Sequence, residues 1–196
     1  MTTFITLAIF SYLFGSIPFA LLVGKLKGVD IRKTGSKSTT STNLARVLGW
    51  RWGLVSAFLD LSKGFIPAIL ARIFLSNIWQ VIIVALLPTT GHVLPIWLNF
   101  RGGKGASTFY ASSFVLLGPK YFLSFFPLWI LILVLSKTVS LANLLFSWIL
   151  VILTSVFFET PYKVFSLFGA LFFIFAFREN IQRIKNGVEP RTSFNW

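Results

Sequence analysis

The chain contains no cysteine. Disulfides, iron–sulfur clusters, thiolate zinc sites and a cysteine nucleophile are therefore excluded within it. Its one histidine, His92, is too little for an imidazole-based metal site. Acidic residues are scarce: five Asp and Glu stand against 18 Lys and Arg, a formal net charge of +13. Charge of either sign is short, at 12% of residues, where a soluble domain carries about 25%. So little charge cannot cover a water-soluble globule of 196 residues. Much of the surface must face lipid.

What is present fits that solvent. Hydrophobic residues make up 56% of the chain, 23 of them Phe, and the mean hydropathy is +0.82. The apolar residues gather in seven runs, at 4–23, 53–74, 79–98, 107–117, 121–136, 141–157 and 164–177. The first is too long for a signal-peptide core and is followed by further runs, so it reads as a retained helix. A full span needs about 20 residues. The fourth and fifth runs are short, and a five-span or re-entrant arrangement stays open beside seven spans. No internal repeat is visible. The expectation is an all-α, polytopic membrane bundle of about seven helices, a single domain over 1–196.

Orientation follows from the basic residues. With seven spans, Arg72, Lys120 and Lys163 fall on one side, and Lys63 lies inside a span. The remaining 14 of the 18 fall on the other side, in residues 25–52, 101–104 and 178–191 and at Lys137. The positive-inside rule puts these 14 in the cytoplasm, with the N-terminus outside and the C-terminus cytoplasmic. Attraction to anionic lipid explains the positive charge first and a phosphorylated ligand second; nucleic acid is not required.

Three segments carry chemistry. In Phe100-Arg101-Gly102-Gly103-Lys104-Gly105, glycines allow close backbone approach to an anion, two cations flank them, and a helix is expected just after. It is not a Walker A loop: that motif's first glycine would fall at Leu98, and Gly105 replaces its Ser or Thr. A tight basic turn between two spans is an equally good reading. The donor-rich stretch 34–49 holds Ser36, Thr42 and Asn43 and predicts a short helix over 42–48. Asn43 and Arg46 share one face of it, and Leu44, Val47 and Leu48 form the apolar face. It is either a phosphate cradle or a flexible Ser/Thr loop. Asp60 and Lys63, at i and i+3 inside the second span, predict a mainly structural ion pair facing the bundle. His92 is either a general base, since imidazole titrates near neutrality, or a packed hydrogen-bonding residue. In the tail, Phe177, Asn180 and Arg183 share a helical face, with Glu179 and Arg183 spaced to pair.

Together these segments resemble the PlsY-type, acyl-phosphate-dependent glycerol-3-phosphate acyltransferases of bacteria over nearly the whole chain. The resemblance rests on Gly15-Ser16-Ile17-Pro18, Asp30-Ile31-Arg32, Gly35-Ser36, Thr42-Asn43, Arg46 and Gly49. It continues through Leu59-Asp60, Lys63-Gly64, Gly91-His92, Pro95 and Phe100–Gly105. It ends with Ser140-Leu141-Ala142, Arg178, Asn180-Ile181, Arg183, Gly187 and Glu189. It implies seven helices, no metal or other cofactor, and transfer of a fatty acyl group from acyl-phosphate to the 1-hydroxyl of sn-glycerol 3-phosphate. Lysophosphatidic acid and phosphate would be the products. Lys104, Arg46, His92 and Asn180 are then the expected catalytic residues. Ser36, Thr42, Asn43, Arg101, Gly102, Gly103 and Asn143 are the expected substrate-binding ones. The expected partners are the two substrates and membrane lipid, at the inner face of a bacterial cell membrane.

The chain departs from the family pattern near that site. The usual Gly-Ser-Gly-Asn-x-Gly-Ala-Thr-Asn reads Gly35-Ser36-Lys37-Ser38-Thr39-Thr40-Ser41-Thr42-Asn43 here. Lys37 and Thr40 replace glycines, at a cost of about 1–2 kcal/mol each wherever φ is positive. Phe177 replaces a histidine, and Asn143 a serine. A non-catalytic or weakly active paralogue that binds a phosphorylated lipid or phosphate is the alternative function. A small transporter is a third, weaker one, since intramembrane polar residues are few.

Overall fold

A computed structural model describes residues 1–192; the last four residues of the polar tail lie outside it. The described residues form α1 (Thr2–Ser16), α2 (Phe19–Leu26), α3 (Ser41–Leu48), α4 (Trp50–Phe74), α5 (Ile78–Val93), a 3₁₀ turn (Ile96–Leu98) and α6 (Ala106–Leu117). These are followed by α7 (Pro119–Ser136), α8 (Val139–Phe157), α9 (Thr160–Ala176) and α10 (Arg178–Lys185). The protein is all-α, as expected, with no strand among the described residues.

Four segments are long and apolar enough to cross a membrane: α4, α5 with its 3₁₀ extension, α7 and α8. The pairs α1–α2 and α9–α10 also qualify, each as one span bent by 42° and 63° respectively, which brings the number to six. The apolar α6 is shorter, at 12 residues. Each of the seven apolar runs is thus largely helical, but the first and the third are not continuous helices: the first breaks at Ile17–Pro18 and the third at Leu94–Pro95. Pro18 lacks an N–H and biases the residue before it away from helix. Ile17 accordingly sits at φ −62°, ψ 118°, and the chain restarts as α2 at Phe19. The second bend falls at Phe177, which closes α9 and opens α10.

The chain divides into two compact units, Met1–Val115 and Leu116–Trp196. In the first, α1 packs on α5 and α4, and α3 packs on α4. Polar side chains fasten these apolar helices where lipid offers no hydrophobic drive. Thr108 Oγ1 donates to the Asp60 carbonyl at 3.1 Å, and Ser112 Oγ to the Gly64 carbonyl at 3.2 Å, joining α6 to α4. Tyr12 Oη donates to the Leu94 carbonyl at 2.9 Å. At the loop end, Leu44 of α3 is fully buried among Ala20, Leu21, Val23 and Ile31. Burying such a side chain from water contributes about 1.5–3 kcal/mol, which anchors a helix too short to persist alone.

In the second unit, Phe122 and Phe126 of α7 meet Phe146 of α8 edge-on, with ring centroids 6.2 and 6.1 Å apart. Trp129 Nε1 donates to Asn143 Oδ1 at 2.9 Å. The hydroxyls of Thr154 and Ser166 tie α8 to α9 at 2.5 Å. Only 6% of the apolar window of α7 is buried, so that helix presents Leu123, Leu131, Val134 and Leu135 to lipid.

Candidate active site

The first loop is held by Asn43 near the start of α3. Its Oδ1 accepts the Ser36 N–H at 2.8 Å. Its Nδ2 donates to the carbonyls of Ile31, Ser38 and Thr34 at 2.9, 3.0 and 3.2 Å. Thr40 caps the helix by accepting the Asn43 N–H at 3.2 Å. Gly35 is required here twice over: its φ is +59°, and a Cβ would overlap Asn43 Oδ1. Upstream, Arg32 grips Asp30 at 2.7 Å and holds that carboxyl well below the usual carboxylate range. The hydroxyls of Ser36, Ser38 and Thr40 run in a chain, at 3.1 and 3.0 Å, along the outside of the loop.

Asn43 is fully buried with both ends of its amide engaged by the loop's own backbone. Its amide holds the loop's backbone in shape. Ser36 and Arg46 are exposed and Thr42 is half-buried. Of the two replaced glycines, Lys37 keeps the left-handed backbone at φ +57°, whereas Thr40 is extended at φ −115°. Only Lys37 carries the backbone cost.

The second loop folds back on the end of α5. The N–H groups of Gly102 and Gly103 donate to the carbonyls of Val93 and His92, both at 3.0 Å. Both amides thus cap the end of α5. Their glycine identity serves close approach. A Cβ on Gly103 would overlap His92 Nε2, and it would sit 3.1 Å from the Thr39 carbonyl. The turn before it is strained, with Asn99 at φ +48° and Phe100 at φ +60°, at about 1–2 kcal/mol for each. After it come Arg101, exposed, and Lys104, half-buried; Lys104 lies two residues before α6, where the helix dipole favours an anion.

The two loops meet. Thr39, Gly102, Gly103, His92, Lys63 and Ser16 line one small cleft, with room for about one water molecule. Thr39, 7% exposed, has a buried Oγ1 without a hydrogen-bond partner. A group of that kind marks a place for a ligand or water. Nothing in the sequence singled out Thr39. His92 is buried, with Nδ1 2.9 Å from Lys63 Nζ, and Lys63 is in turn 2.9 Å from Asp60 Oδ1. The expected Asp60–Lys63 pair is thus present, with a third member.

The other two expected site residues belong to the second unit. Asn180 Nδ2 donates to Glu189 Oε1 at 2.7 Å. Ser140 Oγ donates to the same oxygen, and Arg183 Nε to Oε2, both at 2.7 Å. Burial pushes the Glu189 carboxyl up, but the three donors outweigh it and hold it below its ordinary value. Asn180 Oδ1 is buried without a partner. Asn143 is buried with its Oδ1 on Trp129. Phe177, 3% exposed, packs on Phe173 with ring centroids 5.4 Å apart.

Apolar helices carrying a small polar cleft, with cations on the loops around it, define an integral membrane protein with a site suited to anionic groups. The chain belongs to the glycerol-3-phosphate acyltransferase family, whose model matches residues 5–187. The glycerol-3-phosphate acyltransferase of Thermus thermophilus is 36% identical over 192 residues, 97% of this chain and 96% of that one. That of Aquifex aeolicus is 37% identical over 190 residues, 94% and 97% of the two chains. The crystal structure of PlsY, an integral membrane glycerol 3-phosphate acyltransferase, in its glycerol 3-phosphate form superposes with a TM-score of 0.92. It is 34% identical and covers 97% of this chain and 96% of that one. The lysophosphatidic acid form gives a TM-score of 0.89.

Proposed function

We propose that the protein transfers a fatty acyl group from acyl-phosphate to the 1-hydroxyl of sn-glycerol 3-phosphate. What supports this is kinship over nearly the full chain with PlsY, solved in a glycerol 3-phosphate form and in a lysophosphatidic acid form. In the reaction the hydroxyl oxygen bonds to the acyl carbon, the acyl carbon–oxygen bond to phosphate breaks, and phosphate leaves. The hydroxyl proton passes to a phosphate oxygen. The donor is already activated, so the enzyme needs no covalent nucleophile. Its task is to hold two phosphates in line and stabilise the developing oxyanion.

In this reading Lys104, Arg46 and Arg101 bind phosphate by charge. Ser36 and Thr42 add hydroxyl donors. Asn180, oriented by Glu189, is a catalytic residue contributed by the second unit. The active face is cytoplasmic, in the inner membrane, and seven spans put the 14 basic residues there.

One observation favours a second reading, a weakly active or non-catalytic paralogue that binds phosphorylated lipid. Phe177 has no donor to offer the orphaned Oδ1 of Asn180, one helical turn away. Formation of lysophosphatidic acid by purified protein, with and without acyl-phosphate, separates the two. If impairment holds, Phe177→His raises turnover by about tenfold, the worth of one polar contact of roughly 1–3 kcal/mol. Robust turnover in the wild type that falls in Phe177→His eliminates the second reading.

A further inference from the structure

Asp60 and Lys63 are the most deeply buried charges among the described residues, at 2% and 1% exposed. A buried ion pair is a poor means of stabilising helices, since apolar residues of like volume do as well or better. This one reaches into both loops. Asp60 Oδ2 accepts from Ser41 Oγ at 2.9 Å, at the start of α3, and Ser41 Oγ also lies 2.9 Å from Ser56 Oγ. Asp60 Oδ1 lies 2.9 Å from Lys63 Nζ. Lys63 Nζ lies 2.9 Å from His92 Nδ1, and the His92 carbonyl accepts the Gly103 N–H. Asp60 itself is 3.5 Å from His92 Nδ1, beyond a good hydrogen bond.

The donor inventory then decides the state of the imidazole. An ammonium has three donors and no acceptor. With Lys63 charged, His92 Nδ1 accepts from it, and the single ring proton of the neutral imidazole lies on Nε2. That nitrogen lies against Gly103, at the cleft.

We infer that Lys63 is a positioning residue: anchored by Asp60, it fixes His92 as the Nε2–H tautomer and so presents a hydrogen-bond donor, not a base, to an oxyanion in the cleft. The inference rests on the acyltransferase reading for the identity of that oxyanion, but not for the tautomer. It assigns the two nitrogens of His92 separate duties. Nδ1 is held by the buried pair. Nε2–H joins the unpartnered Thr39 hydroxyl as a second donor to a phosphoryl or acyl oxygen. The same ion pair keeps the two loops in register through Ser41 and through the His92 carbonyl.

His92 is the sole histidine, so protein labelled with ¹⁵N-histidine and purified through a histidine-free tag has one imidazole to observe. At neutral pH in bilayers, the expected spectrum has an unprotonated Nδ1 and a protonated Nε2. Inorganic phosphate or glycerol 3-phosphate should move the Nε2 signal and leave Nδ1 in place. A protonated Nδ1, or an Nε2 that neither anion moves, overturns the inference.

Lys63→Met should release the ring into both tautomers and lower kcat by about tenfold to a hundredfold, with KM for glycerol 3-phosphate changed by less than about threefold. Lys63→Arg should restore the single tautomer. A Lys63→Met protein that melts earlier but keeps the wild-type tautomer shows a merely structural pair and overturns the assignment. If that variant does not fold, the wild-type spectrum alone decides. An inactive wild type with the Nε2–H tautomer refutes the acyltransferase reading only. An active one with Nδ1–H refutes this inference only.

Discussion

Replacing Asn43 tests whether the first loop is built from within. Asn43→Ala removes the acceptor for the Ser36 N–H and the donors to Ile31, Ser38 and Thr34. Two amide hydrogens serve three carbonyls, so the loss amounts to about three full hydrogen bonds. At a net worth of about 1 kcal/mol each, less some rehydration at the membrane surface, the closed loop is weakened by about 2–3 kcal/mol. That is roughly a 30- to 150-fold shift toward the open loop. Asn43→Asp should be worse than Ala, although nearly isosteric. It sets an acceptor-only oxygen against three carbonyl oxygens in a fully buried place. The assay is amide hydrogen exchange over residues 31–43 in substrate-free protein, with thermal unfolding alongside. Faster exchange in the order wild type, Ala, Asp is expected. Unchanged exchange in both variants, with only substrate affinity lost, would refute the argument and restore Asn43 as a ligand.

Three further outcomes follow from the same geometry. Lys104→Ala should lower kcat/KM by about tenfold to a hundredfold, since a charged hydrogen bond is worth about 1.5–3 kcal/mol; wild-type kinetics would remove Lys104 from the site. The Glu189 carboxyl sits below its ordinary value in the folded protein. Its stabilisation is complete above the ordinary Glu value and is lost as pH falls through the lower, folded one. Hydrogen exchange over 178–189 should therefore quicken only in that acidic range and be flat at neutrality, and Glu189→Gln should abolish the step. Single-cysteine labelling near Lys37, Gly103 and Asn186 should report the cytoplasm, and near Lys120 the outside; Lys37 and Gly103 on opposite faces would break the shared cleft.

The helices were legible because lipid demands long apolar runs, and all seven runs are largely helical. The α3 helix was legible to within a residue from Leu44, Val47 and Leu48 on one face. The breaks were less so. Pro18 divides the first run, whereas Pro67, Pro88 and Pro127 sit inside unbroken helices. Local sequence does not say which prolines a bundle will absorb. At the site, the charges in the loops and the Asp60–Lys63 spacing were visible from the chain alone. The third partner, His92, lies 29 residues beyond Lys63, on another helix. Likewise, Glu189 draws Ser140, Asn180 and Arg183 together across up to 49 residues. Such pairings are set by packing and leave no local pattern. For Gly102 and Gly103, a glycine's need for closeness shows in sequence, but the His92 and Pro95 atoms they lie close to do not.

The central claim is tested most directly by supplying the purified protein, in bilayers, with a long-chain acyl-phosphate and radiolabelled glycerol 3-phosphate. The account predicts labelled lysophosphatidic acid and released phosphate in equal amounts, dependent on acyl-phosphate and diminished by Lys104→Ala. Folded protein that binds glycerol 3-phosphate but forms no product, with Phe177 or with histidine in its place, would contradict it.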